Sequence, residues 1–219
     1  MTTTGVAGGI RYSVCEVSDT DDMCQLFAHS FTQFDPPPRA LGVSVAEFEQ
    51  LVRVVAENSV ADGLSILARE TNTGRIAGAF LVEDAASPEP QSVENLSEKF
   101  APAFALLKRL GESYWSTRSP ARGEYLHLAF LGVEHSFFGR GIAGALVHKA
   151  LENGRNRGFS MAVTEATNIV SQHIFKKIGF VERAHERYAE FRYEGKAVFS
   201  QAEEHVGPML MDFAINTRS

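Results

Sequence analysis

The sequence predicts an α/β protein with a mixed central sheet and helices on both faces. Strand-like and helix-like segments follow one another in the order βααββαβαβαββ. A nine-residue, almost wholly apolar run spans Tyr125 to Val133, and two strand–helix–strand units follow it. Interleaved strands and helices bury their apolar faces best as a sheet covered by helices. An apolar run of this length reads as a strand covered on both sides.

Composition fits one domain. Hydrophobic residues make up 44% of the 219 and charged residues 22%, enough apolar side chain for a core. We expect a single domain over 10–219 preceded by a flexible tail, residues 1–9. Lys and Arg number 21 against 27 Asp and Glu, a net charge of −6. That balance argues against a nucleic-acid partner held through phosphates. No run approaches the ~18 apolar residues that cross a bilayer, and Met1 to Gly9 lacks the basic start and apolar run of a secretory signal. With two cysteines, Cys15 and Cys24, and no disulfide framework, the expected location is cytoplasmic.

The elements are justified in turn. Ile10 to Val17 alternates as a strand. Ser18 and Asp19 cap a helix running to about Gln33, with Met23, Leu26, Phe27, Ser30 and Phe31 on one face. Pro36-Pro37-Pro38 is expected to end helical structure and extend the chain. Ser44 and Glu47 have capping-box spacing and start a helix that buries Phe48, Leu51, Val52 and Val55. Leu64 to Arg69 and Arg75 to Val82 form a hairpin through Thr71-Asn72-Thr73-Gly74. Ala85 to Ser92 is a loop, and Ser97 to Glu112 a helix with Phe100, Phe104, Leu107 and Leu110 at helical spacing. After the strand Tyr125–Val133 come a helix from Gly139 to Arg157, a strand to Ala166, a helix from Ile169 to Ile178 ended by Gly179, and strands over 180–188 and 208–215. Lys196 to Val206 shows no clear pattern.

The segment Leu131 to Val147 carries the chemistry. A strand runs through Leu131, Gly132 and Val133 into a loop that opens a helix at Gly139-Arg140-Gly141-Ile142-Ala143-Gly144. Unpaired N–H groups and the helix dipole favour an anion there, glycines allow close approach, and Arg140 adds positive charge. The glycines alternatively serve close helix–sheet packing. Gly139-x-Gly141-x-x-Gly144 also matches a dinucleotide fingerprint, with Glu165 21 residues beyond Gly144 where a ribose-binding acid belongs. Against that, Glu134 to Phe138 separate the strand from the first glycine.

Phe138-Gly139-Arg140-Gly141-Ile142-Ala143 resembles the acetyl-CoA motif of the GNAT superfamily, Arg/Gln-x-x-Gly-x-Gly/Ala, at Gly141 and Ala143; Phe138 stands where Arg or Gln is usual. Asn168 through Phe180 resembles the superfamily's downstream helix ending in Gly-Phe. Phe34-Asp35-Pro36, the hairpin start at Gly63-Leu64-Ser65-Ile66 and Tyr188-x-x-Phe191-x-x-x-Gly195-Lys196-x-x-Phe199 are similar to the arylalkylamine N-acetyltransferase-like group. The resemblance implies a GNAT fold with splayed parallel central strands, Tyr125–Val133 and Phe159–Ala166. It implies acetyl-CoA as co-substrate, with Leu131, Gly132 and Val133 along the pantetheine arm and Phe138 to Ala143 around the pyrophosphate. Asn168 and Phe175 lie near the donor, and a backbone N–H near Phe130 or Leu131 stabilises the oxyanion.

The same resemblance implies transfer of an acetyl group to a primary amine of a small molecule, by direct attack on the thioester. Peptide amines, or a catalytically silent CoA-binding module, are the alternatives. A primary amine near pKa 10.4 arrives charged and needs a base. Asp35 stands where the group usually has Glu, and His127 stands at the first position of a His-x-His pair whose second position is Ala129. Glu124 begins the same strand. Each also has a plainer reading: a turn-former, a buried neutral histidine and a surface acid. Phe175 replaces the usual tyrosine acid, leaving Ser171, one turn earlier, to protonate the thiolate. Phe100, Phe104, Tyr114 and Trp115 either wall an aryl pocket or fill the core. The histidines lack metal-ligand spacing, so no metal is expected. A homodimer fits the resemblance.

Overall fold

The computed structural model describes residues 5–88, 96–202 and 205–215. Residues 1–4 of the expected tail, 89–95, which include the end of the expected loop, 203–204 and 216–219 lie outside the described residues. Eight strands form one sheet: β1 (Gly5–Ala7), β2 (Ile10–Val14), β3 (Ile66–Glu70), β4 (Ile76–Asp84), β5 (Tyr125–Val133), β6 (Met161–Ala166), β7 (Val181–His185) and β8 (Met209–Ala214). Their order is β1-β2-β3-β4-β5-β6-β8-β7. β5 and β6 are parallel, while the other neighbouring pairs are antiparallel. The helices are α1 (Thr20–Phe34), α2 (Pro36–Ala40), α3 (Val45–Ala61), α4 (Ala101–Trp115), α5 (Ile142–Asn156) and α6 (Ile169–Ile178).

Two expectations need correction. Gly5 to Ala7 is a strand, because Gly8 and Gly9 at φ 56° and 75° turn the chain so that Gly5 pairs with Tyr12. Pro36-Pro37-Pro38 does not extend the chain; it opens α2, with Asp35 as N-cap. The first turn of a helix leaves its N–H groups unpaired, so three prolines forfeit no hydrogen bond there. The Ser44–Glu47 box forms as expected: Glu47 N–H donates to Ser44 Oγ at 3.3 Å, and Ser44 N–H donates to Glu47 Oε2 at 2.8 Å.

The core is layered on both faces of the sheet. On one face α5 and α6 place Leu146, Val147, Ala150 and Phe175 against Phe80, Val82, Leu126 and Leu128. On the other, α1 and α3 place Phe27, Phe48 and Val52 against Leu67, Ala79 and Leu81, and α4 places Leu110 and Tyr114 against Tyr125, Val163 and Leu210. Two glycines bring α1 and α5 onto the central strands. A Cβ on Gly78 would lie 2.9 Å from Gly132 O and 3.2 Å from Ile142 and Leu146; one on Gly132 would lie 2.9 Å from Phe27. Gly132 thus serves packing against α1.

Candidate functional site

The site begins where the sheet opens. β5 and β6 pair at Tyr125–Met161, Leu126–Ala162 and His127–Val163, and no further. Thr164 Oγ1 donates to Leu128 O at 2.9 Å across the point of divergence. On the other side of β5, Leu81 faces Phe130 and Val82 faces Leu128, so Ala129 is a bulge. A bulge bends its strand and breaks the local ladder. Glu134 N–H donates to Ala77 O at 3.0 Å, which sets the alternation of peptide groups. Phe130 and Gly132 point theirs toward β4; Leu131 and Val133 point theirs toward the edge that β6 has left.

Beyond β5 a 3-10 turn, His135–Phe137, leads into the glycine loop. Gly139 and Gly141 have φ of 75° and 74°, a region that side chains with a Cβ reach only at a cost. A Cβ at Gly139, Gly141 or Gly144 would meet nothing within 4 Å. These glycines therefore do not serve helix–sheet packing; two of them are required by backbone conformation. Among the described residues the N–H groups of Gly139, Arg140, Gly141, Ile142 and Ala143 meet no acceptor. They form a donor cluster at the start of α5 that fits a pyrophosphate. Phe138 does not join it, because its N–H donates to His135 O at 3.1 Å. Its ring, 48% exposed, packs with Phe34 and His135 at centroid distances of 5.4 and 5.1 Å. The Arg140 side chain turns back over Phe137 and donates to Gly8 O at 3.3 Å. A cleft of about 580 Å³ borders the loop from the α1 side, lined by His29, Gln33, Phe34, Arg75 and His135.

Asp35, at the α1–α2 junction, is 5% exposed. Its Oδ1 accepts from Thr167 Oγ1 at 2.6 Å and Asn168 Nδ2 at 2.9 Å. Tyr188 OH donates to Thr167 O at 2.7 Å and fixes that turn. Burial pushes the Asp35 carboxyl up to about 6, against the two hydrogen bonds that favour its charge. Asn168 also accepts from Ser171 N–H at 2.9 Å, capping α6. Both ends of its amide are thereby engaged within the protein. Ser171 Oγ donates to Asn168 O at 2.9 Å. Phe175, 2% exposed, lies in the core beside Phe80 and Phe180.

His127 is bound at both ring nitrogens: Nδ1 to Glu83 Oε1 and Nε2 to Glu165 Oε2, each at 2.8 Å. Burial disfavours its charge, but the two carboxylates outweigh burial and hold its pKa well above the usual value. Glu165 is likewise held down by His127 despite burial. The unit is an imidazolium between carboxylates, not the neutral histidine of the plainer reading. Glu124 is exposed, and its Oε2 accepts from Ala121 N–H at 2.9 Å, within its own loop. Sequence reasoning missed Thr167 and Glu83, which carry no local signal. It saw Glu165 only as a ribose acid. Among the described residues no group of three His, Cys, Asp or Glu side chains is arranged to hold a metal ion.

A dinucleotide fold needs a mostly parallel sheet with its fingerprint tight against the strand. One parallel pair and a 3-10 turn before Gly139 exclude that alternative. Diverging parallel strands, a bulge and a glycine loop at a helix start define the GNAT fold. Residues 97–180 match the model of the Acetyltransferase (GNAT) family. Over that stretch the chain is similar to the GNAT acetyltransferase family.

Similar solved structures agree on the fold. The C-terminal condensation domain of Ebony, in complex with beta-alanyl-dopamine, superposes with a TM-score of 0.84 at 18% identity, covering 94% of this chain and 98% of that one. Arylalkylamine N-acetyltransferase 2 of Aedes aegypti gives 0.80 at 23% identity, covering 95% and 100%. The Drosophila melanogaster polyamine N-acetyltransferase gives 0.74 at 19% identity, covering 94% and 99%.

Proposed function

We propose that the chain transfers an acetyl group from acetyl-CoA to a primary amine of a small molecule. The observation that carries this is the buried Asp35 carboxylate, held by Thr167 and Asn168 just past the end of β6, where β5 and β6 have parted. The donor cluster from Gly139 to Ala143 would hold the pyrophosphate, and the peptide groups of Leu131 and Val133 would align the pantetheine arm. When bound, acetyl-CoA supplies an activated thioester.

Asp35 takes a proton from the ammonium, directly or through a water. The freed amine attacks the thioester carbonyl; a C–N bond forms and the C–S bond breaks. The attacking nitrogen sheds its second proton through Ser171 Oγ to the leaving thiolate, and the Leu131 N–H supports the developing oxyanion. His127 already carries its proton between two carboxylates, so the base role falls to Asp35. The Aedes and Drosophila structures bear the names of amine acetyltransferases, which supports the acceptor class. Cys15 and Cys24 are free and buried, which suits a reducing, cytoplasmic location.

The test is CoA release from acetyl-CoA with a panel of small amines. We expect turnover that falls by roughly 10²-fold or more in Asp35→Asn. Stabilisation by acetyl-CoA without turnover of any amine would instead identify a CoA-binding module.

A further inference from the structure

Glu83, His127 and Glu165 form a row across β4, β5 and β6, on the face that α1, α3 and α4 cover. Thr167, two residues beyond Glu165 and just past the end of β6, holds Asp35. The row therefore continues to the buried carboxylate. It carries three carboxylates and a single imidazolium. Each glutamate gives His127 one oxygen, and among the described residues neither Glu83 Oε2 nor Asp35 Oδ2 meets a donor. Asp35 is more than nine-tenths buried, so its free oxygen is a buried acceptor awaiting a donor. The glutamate side chains remain 22% and 19% accessible, so a ligand can reach the row. Aromatic side chains flank it: Tyr125 with Trp115 on one side, Phe130 with Phe48 on the other.

We propose that this row selects acceptors carrying a second cation besides the reacting amine, namely short aliphatic diamines and their longer relatives. Glu83 and Glu165 are its specificity-determining residues, and His127 holds their carboxylates in place. The inference rests on the amine-acetylating reading of the same site. The reacting nitrogen belongs near Phe130 and Asp35, and His127 lies three residues back along β5, roughly 10 Å at 3.3 Å per residue. One ammonium cannot satisfy both ends of that distance. Two ammonium groups joined by a short apolar chain can, with the chain lying along the aromatic walls.

The test compares cadaverine with n-pentylamine, which differ by one terminal ammonium. With acetyl-CoA and the full chain, cadaverine should have a kcat/KM about tenfold higher or more, equivalent to about 1.4 kcal/mol. Glu83→Gln should bring that ratio most of the way to one, chiefly through the KM of cadaverine. Glu83→Asp, which keeps the charge, should recover part of it. A ratio near one in the wild type, or an unchanged ratio in Glu83→Gln, overturns the proposal. The His127 ring 15N resonances give a readout independent of turnover: cadaverine alone should shift them and n-pentylamine should not. That shift without acetylation of either amine would keep the cation site and sink the reaction. Equal acetylation of both amines without the shift would keep the reaction and sink the cation site. Should Glu83→Gln fail to fold, the wild-type ratio and the His127 shift decide alone.

Discussion

Thr167 Oγ1 lies 2.6 Å from Asp35 Oδ1 and joins the α1–α2 junction to the turn between β6 and α6. This contact holds a carboxylate out of water while bonding one of its oxygens. Its consequences for stability and for activity have opposite signs.

Asp35→Asn should lower turnover by roughly 10²-fold or more and stabilise the fold. The Asp35 pKa stands at about 6 against an ordinary 3.8, so the folded chain binds the proton more tightly than the unfolded chain. The residue costs nothing below pH ~4 and destabilises increasingly as pH rises through about 6, by on the order of 1–3 kcal/mol above that. Asparagine keeps an acceptor for Thr167 and Asn168 without the buried charge. Melting curves at pH 4 and pH 8 should show the variant equal to wild type at the lower pH and several degrees higher at the upper. No gain at pH 8 would mean that Asp35 is not charged and buried there.

The pH profile should separate Asp35 from His127. With Asp35 as base, kcat/KM rises as pH increases through about 6. His127, whose pKa is raised well above its usual value, stays protonated through that range. Its stabilising contribution is complete below an unfolded pKa of about 6.5 and fades only as pH climbs through the higher folded value. His127→Gln should therefore leave the acid limb near pH 6 while costing roughly 2 kcal/mol of stability, because Glu83 and Glu165 lose the cation between them. Disappearance of that limb in His127→Gln would reassign the base.

Two glycines of the loop should respond in opposite directions. Gly141 has φ 74° and open space around it, so Gly141→Ala costs about 1 kcal/mol through the backbone alone. It should also weaken acetyl-CoA binding, since its N–H belongs to the donor cluster. Gly144 is helical with nothing within 4 Å, and Gly144→Ala should stabilise by about 0.5–1 kcal/mol. Thermal melts with and without acetyl-CoA read both effects; a stabilising Gly141→Ala would contradict the left-handed N-cap.

Features governed by near neighbours were legible in the sequence. Ser44 and Glu47 close their box, Gly179 stops α6, and Tyr125–Val133 is a strand over the expected residues, because each depends on contacts a few residues apart. Pro36 to Pro38 misled because three prolines fit a helix only when they fill its first turn, and the capping residue, Asp35, is held by residues 132 and 133 positions away. β1 was hidden because three residues are too few to alternate. The Glu83–His127–Glu165 row depends on cross-strand register, which no local pattern reports: β5 must bulge against β4 and run parallel to β6 before the three side chains meet. The loop lay between these cases. Its glycines were readable as an anion site, but the Phe138 N–H was committed to His135 by a 3-10 turn that the sequence did not announce.

Phe138→Arg should tighten donor binding. Phe138 stands where related loops carry Arg or Gln, is 48% exposed, and touches Phe34 and His135 by ring contacts at the surface. Losing those contacts costs little, because an exposed aromatic pair contributes about 1 kcal/mol or less. An arginine there adds a forked cation beside the donor cluster of Gly139 to Ala143, and Arg140 does not already fill that role, since its guanidinium reaches back to Gly8. A charge-assisted bond to phosphate is worth about 1.5–3 kcal/mol before the entropy of ordering the side chain. The Kd for CoA measured calorimetrically should fall about 3- to 10-fold in Phe138→Arg, with less effect on pantetheine, which lacks the pyrophosphate. An unchanged Kd for CoA would mean that position 138 faces away from the pyrophosphate, and that Phe138 serves only its contact with Phe34.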